Sequence, residues 1–203
     1  GDATILQTNI KSIKIGAMKL KIKGISPYLP EPMDMQVLEL YNKKRSKQNY
    51  TKDQISEEEK VKAKFYYDKD GDYAIPTRAF YNAMIRASSY LIDKKDGGMR
   101  NIKEGVTILN TFTKLKYEDI EILTHCGRTS GQNGSPRKIM RNAFNGCECE
   151  ITIQYNKEQL SSDQIYNILN WGGFHIGVGG FRKEKTGNYG SFKVEPIETI
   201  KTI

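Results

Sequence analysis

The stretch Trp171-Gly172-Gly173-Phe174-His175-Ile176-Gly177-Val178-Gly179-Gly180-Phe181-Arg182-Lys183-Glu184-Lys185-Thr186-Gly187-Asn188-Tyr189-Gly190-Ser191-Phe192 places seven glycines within nineteen residues. Ahead of it, Ser161 or Ser162 opens a helical pattern with Ile165, Ile168 and Leu169 inward, and the spacing predicts that this helix stops at Gly172-Gly173. Behind it, Ser191 to Ile197 reads as a closing strand. A dinucleotide site or P-loop runs the other way, with a strand first, glycines next and a helix last. The order here excludes those folds, and no cofactor is expected. Arg182, Lys183 and Lys185 lie among the glycines with Phe174, Phe181, Tyr189 and Phe192. Glycine lets a backbone approach a ligand closely, cations neutralise phosphates, and ring faces stack bases. The combination reads as a loop holding a nucleic-acid backbone. A tight turn carrying solvated lysines is the plainer alternative.

Working outward, Ile13, Ile15, Met18, Leu20 and Ile22 alternate with lysines and small residues, predicting a long strand with a Lys-rich solvent face, bent at Gly16. Pro27, Pro30 and Pro32 end it. Residues 30–64 read as an inserted finger: helical spacing from Met33 to Tyr41, a polar run containing Lys43, Lys44, Arg45 and Lys47, and a capping-box start at Ser56 and Glu59. The finger contacts nucleic acid or is a solvated linker; the sequence leaves both open. Phe65-Tyr66-Tyr67 and Tyr73-Ala74-Ile75-Pro76 are expected to pair around the acidic turn Asp68–Asp72, which lacks the later glutamate of a calcium loop. Thr77 is expected to cap a helix from Arg78 to about Asp93, with Phe80, Met84, Ile85, Ser88 and Leu91 inward. Val106–Leu109 starts a further ordered segment, and Tyr117–Leu123 alternates as a strand. Thr124–Arg137, which carries Arg128 and Arg137, reads as a flexible loop. Lys138–Phe144 and Cys147–Tyr155 are expected to form a hairpin around Asn145-Gly146. The order is α+β: a ferredoxin-like or RRM-like antiparallel sheet with helices on one face and an inserted finger.

Lysine and arginine outnumber aspartate and glutamate by 32 to 24, a formal charge of +8 that favours polyanionic partners. Cys126, Cys147 and Cys149 are too few for a disulfide framework. Cys147 and Cys149 alternate with glutamates, which sends both thiols to the core, and no metal site is expected. No apolar run approaches a membrane span and no signal-peptide pattern is visible, so a cytoplasmic protein without a membrane partner is expected.

Two motifs together resemble the CRISPR-associated RAMP superfamily. Tyr73-Ala74-Ile75-Pro76-Thr77-Arg78-Ala79-Phe80-Tyr81-Asn82-Ala83-Met84-Ile85-Arg86 is similar to its I-P-x-S-x-h-x-G-x-h-R segment. Gly177-Val178-Gly179-Gly180 through Gly187-Asn188-Tyr189-Gly190-Ser191-Phe192 is similar to its C-terminal glycine-rich loop, and Met18–Pro27 to its first strand. The likeness runs over about residues 18–194 and is nearest to backbone-subunit-type members, including small stand-alone phage or prophage versions. It implies a single RAMP-like domain over 1–203 that grips single-stranded RNA through its backbone and self-associates head to tail in a bacterial host cell. The chain departs from the motif by carrying Arg78 and Ala83 in place of the small serine and glycine, and Asn188-Tyr189-Gly190 lacks the arginine common in that loop.

The expected function is non-enzymatic binding of single-stranded RNA or DNA, RNA before DNA. The expected contacts are Arg86, Arg128, Arg137, Gly179, Gly180, Phe181, Arg182, Lys183, Lys185 and Tyr189, with Lys43, Lys44, Arg45 and Lys47 as secondary candidates. Some members of the superfamily cleave RNA with an early-loop aspartate or a histidine site, which would fall on Asp34 or His175. His175, between Phe174 and Ile176, reads instead as packed, and Asp34 as a charge at a helix start. No catalytic residue is assigned. Alternatives are a phage or mobile-element protein that engages a host complex such as a CRISPR effector, a metal-independent endoribonuclease, and a structural assembly protein.

Overall fold

The alternation of Ile15–Gly24 builds strand β1, with Met18, Leu20 and Ile22 buried on one face and Lys19, Lys21 and Lys23 on the other. A computed structural model describes residues 13–31, 61, 64–128 and 136–200, without the side chains of 127, 128, 137 and 198–200. The finger at 30–64 therefore lies largely outside the described residues, with Asp34, Lys43, Lys44, Arg45 and Lys47 in it.

Strand β2 (Ala74–Pro76) leads into helix α1 (Thr77–Leu91), and the short helix α2 (Met99–Gly105) into strand β3 (Val106–Ile108). Then come β4 (Phe112–Lys114), β5 (Asp119–Arg128), β6 (Pro136–Asn145), β7 (Glu148–Asn156), helix α3 (Ser162–His175) and β8 (Phe192–Ile200). The main sheet has the order β3-β7-β1-β8, with every neighbouring pair antiparallel. With α1 connecting β1 towards β3 and α3 connecting β7 to β8, this is the split βαβ arrangement of a ferredoxin-like core. β2 pairs with β4, and β5 with β6, as two smaller sheets.

Both long helices cover one face. Phe80 and Met84 of α1 and Ile165 and Leu169 of α3 are fully buried with Leu20 and Ile153 of the sheet. Phe80 meets Phe192 edge to face at 5.3 Å, tying α1 to β8. The open face is covered by cross-strand pairs: Lys19–Glu150 at 2.8 Å, Lys21–Glu148 at 3.2 Å and Lys23–Glu195 at 3.0 Å. Among the described residues its strands present no aromatic ring there, so the stacking platform of an RRM sheet is missing. No described helix is long and apolar enough to cross a membrane.

Four local expectations are corrected. Asn145-Gly146 does not close a hairpin, because β6 pairs with β5 while β7 is occupied on both edges by β1 and β3. Gly146 alone has positive φ (60°), whereas a two-residue type I′ turn needs it at both positions. The chain thus changes sheets here. The loop expected at Thr124–Arg137 is narrower, because Thr124–Arg128 belongs to β5 and Pro136–Arg137 to β6, whereas Phe65–Tyr67 and Tyr73–Pro76 do meet around the acidic turn, through the Tyr67–Tyr73 bridge and the Ala74 amide on the Tyr66 carbonyl (2.9 Å). Thr77 is the first helical residue rather than the cap, and its hydroxyl donates to the carbonyls of Asn110 (2.6 Å) and Thr111 (3.2 Å). Finally, α3 does not stop at Gly172-Gly173 but runs through to His175. Interior glycine costs about 1 kcal/mol relative to alanine, yet a Cβ at Gly173 would overlap the Phe192 carbonyl, and one at Gly172 would sit 3.0 Å from that of Ala83. The two glycines let α3 lie directly against β8 and α1. The expected Ser161 start is found as a complete capping box with Gln164.

Candidate nucleic-acid interface

The side of α1 turned away from Phe80 and Met84 carries Arg78, Asn82 and Arg86 at four-residue steps, all exposed. Residues four apart lie one above another on a helix, so these three form one ridge. The first turn of α1 holds no acidic residue, which leaves the positive end of its dipole uncompensated.

The glycine loop faces this ridge. It is fastened to the segment after β1 by backbone bonds, with the Gly190 amide donating to Pro27 (2.8 Å) and the Gly180 amide to Leu29 (2.8 Å). The Val178 amide closes the loop on Gly190 (2.9 Å). Gly190 has φ +68°, and a Cβ there would collide with the Val178 carbonyl, so a side chain is excluded twice over. Between loop and ridge lies an open cleft of about 340 Å³, lined by Arg78, Asn82, Arg86, Gly179, Arg182 and Glu184 among others.

Glu184 organises its charges. It pairs with Arg86 through one carboxylate oxygen and accepts from Arg182 Nε (3.0 Å) and Nη2 (2.9 Å) through the other. Arg182 Nη1 also donates to the Gly179 carbonyl at 2.9 Å, bracing the loop from inside. Burial, and then the charge of Arg86, hold the Arg182 guanidinium below its ordinary pKa, while Glu31 acts in the opposite direction. On the far side, Phe181, at φ +45°, is gripped by Arg141 over its ring (4.5 Å) and by His125 edge to face (4.5 Å). Arg141 also pairs with Glu31. His125 is shifted below the usual histidine value, first by burial and then by the charge of Arg141.

The structure thus brings Arg86, Gly179 and Arg182 to one cleft, with Gly180 and Phe181 on the adjoining loop. Lys183 lies 3.8 Å over the Phe174 ring, Lys185 is exposed, and the Tyr189 amide is bonded to the Phe181 carbonyl (3.1 Å). Backbone pairing sets Arg128 opposite Pro136 and Gly127 opposite Arg137 at the end of the β5–β6 hairpin, their side chains being outside the described residues. Sequence reading missed Arg78, Asn82, Glu184 and Arg141. The four-residue spacing of Arg78, Asn82 and Arg86 was the available signal for the ridge. Glu31 and Arg141, 110 positions apart, offered none.

No family model matches the sequence, and no curated protein matches it. Among solved structures, a chain from the type III-B Cmr-beta bound to cognate target RNA is similar, with TM-score 0.60 and 13% identity. The match covers 93% of this chain, which spans only 61% of the other. Cmr6 from Pyrococcus furiosus matches over 90% of this chain and 99% of its own at 12% identity, but its TM-score of 0.42 carries no argument. The likeness is one of fold alone, and it agrees with the ferredoxin-like α+β arrangement expected from the order of the elements.

Proposed function

We propose that the chain binds single-stranded nucleic acid, RNA in preference to DNA, in the cleft between α1 and the glycine loop, without cleaving it. The observation that carries the proposal is the meeting of Arg78 and Arg86 of α1 with Arg182 of the glycine loop across an open cleft, beside a first turn of α1 that holds no acidic residue. Such a groove tracks phosphates by charge, and its affinity falls steeply with salt. The preference for RNA draws support from the fold neighbour bound to cognate target RNA. The absence of cleavage draws support from the histidines: His125 is engaged by Phe181, and His175 by Trp171 and Phe174, so neither has the other as an acid–base partner. Of the residues expected from sequence, Arg86 is assigned to phosphate, Arg182 to the loop brace with a shared phosphate contact, and Lys183 and Lys185 to the strand as it leaves the cleft. Arg128 and Arg137, paired in the backbone of β5 and β6, are kept as proposed contacts of the same strand.

The test is fluorescence anisotropy of labelled single-stranded RNA, single-stranded DNA and duplex DNA, each titrated against salt. Salt-sensitive binding that ranks single-stranded RNA first is the expected result. No binding at low salt would overturn the proposal and turn the basic loop into a protein-contact surface.

A further inference from the structure

Because α3 continues past its glycines, Trp171 and His175 stand one turn apart on its last exposed face and stack at 4.2 Å with 30° between their planes. Tyr90 of α1 stacks on Trp171 from the other side (5.2 Å, 28°), and Phe174 meets His175 edge to face (4.9 Å). Four rings from two helices therefore form one ladder. Burial does not account for it, since Tyr90 is 75% and Phe174 55% exposed. The ladder adjoins the cleft along two paths. Tyr90 follows Arg86 by four residues and so continues the ridge Arg78-Asn82-Arg86, each step advancing ~6 Å along the helix. Lys183, whose ammonium lies over Phe174, is the neighbour of Glu184 in the cleft wall.

We infer that this ladder is the base-stacking extension of the cleft, receiving one or two unpaired bases on the outer face of Tyr90 and on the face of Phe174 that Lys183 does not cover, as the strand leaves the arginines. The inference rests on the proposed nucleic-acid binding and names what the strand meets next. Exposed flat rings take bases of any sequence. The lysine and the adjoining arginines favour a polyanion over an apolar protein surface at this patch.

Trp171 is the only tryptophan in the chain and reports on its own ladder. The experiment titrates the whole protein with a ten-nucleotide oligoadenylate and with an abasic oligomer of equal charge, following label anisotropy and Trp171 emission together. The expected result is a saturable change in emission with oligoadenylate, at the concentration where anisotropy rises, and little or none with the abasic strand. Replacing both exposed rings (Tyr90→Ala with Phe174→Ala) should weaken oligoadenylate binding about tenfold, because stacking is removed. The salt slope should stay unchanged, because no cationic side chain is removed. Binding with constant Trp171 emission and unaltered affinity in the double variant would overturn the ladder and leave the cleft standing. Absence of binding to either oligomer would overturn both. Self-association abolished by the double variant, without RNA binding, would assign the patch to a protein contact and overturn the inference.

Discussion

Replacing Glu184 by glutamine should lower stability and tighten nucleic-acid binding at once, and the opposite signs make the substitution informative. The carboxylate accepts two bonds from Arg182 and pairs with Arg86. The side chains of Glu184 and Arg182 are 24% and 21% exposed, while that of Arg86 is 48% exposed. Hydrogen bonds to charged groups contribute about 1.5–3 kcal/mol, whereas an exposed ion pair contributes little. Glutamine keeps one acceptor, and the Gly179 carbonyl still holds Arg182. The expected loss is therefore about 1–2 kcal/mol, which lowers Tm by about 3–6 °C in a chain of this size. The same carboxylate competes with phosphate for both guanidinium groups. Removing one charge about 4 Å away, in a water-like medium, is worth about 1 kcal/mol, or about fivefold in affinity. Thermal unfolding by circular dichroism and anisotropy on single-stranded RNA read the two effects separately. Weaker binding with an unchanged Tm would refute the reasoning, since Glu184 would then be a contact rather than a brace and competitor.

Two further outcomes test the packing and the electrostatics. Gly173→Ala should cost about 2 kcal/mol of stability, read as a lowered urea midpoint at unchanged m, because the overlap with the Phe192 carbonyl outweighs the gain in helix propensity; a raised midpoint would show that α3 does not lie so close to β8. The depressed pKa of His125 means that the unfolded chain, with a histidine near about 6.5, takes up the proton first as pH falls. The stability owed to neutral His125 is fully present above about pH 6.5 and lost as pH falls through the lower folded value. His125→Gln should thus flatten the fall of Tm on the acid side of pH 6.5, and an identical slope in both proteins would contradict the burial of this ring against Phe181 and Arg141.

The parts of the fold legible in the sequence are those whose burial repeats locally. Met18, Leu20 and Ile22 announce β1, and Cys147, Cys149, Ile151 and Ile153 announce the inward face of the chain entering and following β7. Pairing was less legible. Asn145-Gly146 carries a hairpin signal, but β7 gains more by entering the middle of the main sheet than by turning back on β6. Gly172-Gly173 read as a stop because helix propensity is local, whereas the reason for glycine there, close approach to Phe192 and Ala83, is a tertiary fact. The site divides in the same way. Glycines, arginines and aromatics mark the loop, yet the role of Arg182 depends on Glu184 and Gly179, and that of Phe181 on Arg141 and His125 from a distant hairpin. The ladder is hidden in the sequence because Phe174 and His175 fall beyond the expected helix end, while Tyr90 and Trp171 sit on two helices far apart in the chain whose packing is a tertiary fact.

The central claim, a strand held by the ridge of α1, is tested most directly by the salt dependence of single-stranded RNA binding in the Arg78→Ala, Arg86→Ala double variant. Both side chains are exposed, so folding should be preserved. Binding should become markedly weaker, and the slope of log K against log salt should shrink by about 1.4, because two phosphates of a single strand are no longer neutralised. Affinity and slope equal to those of the unaltered protein would contradict the claim.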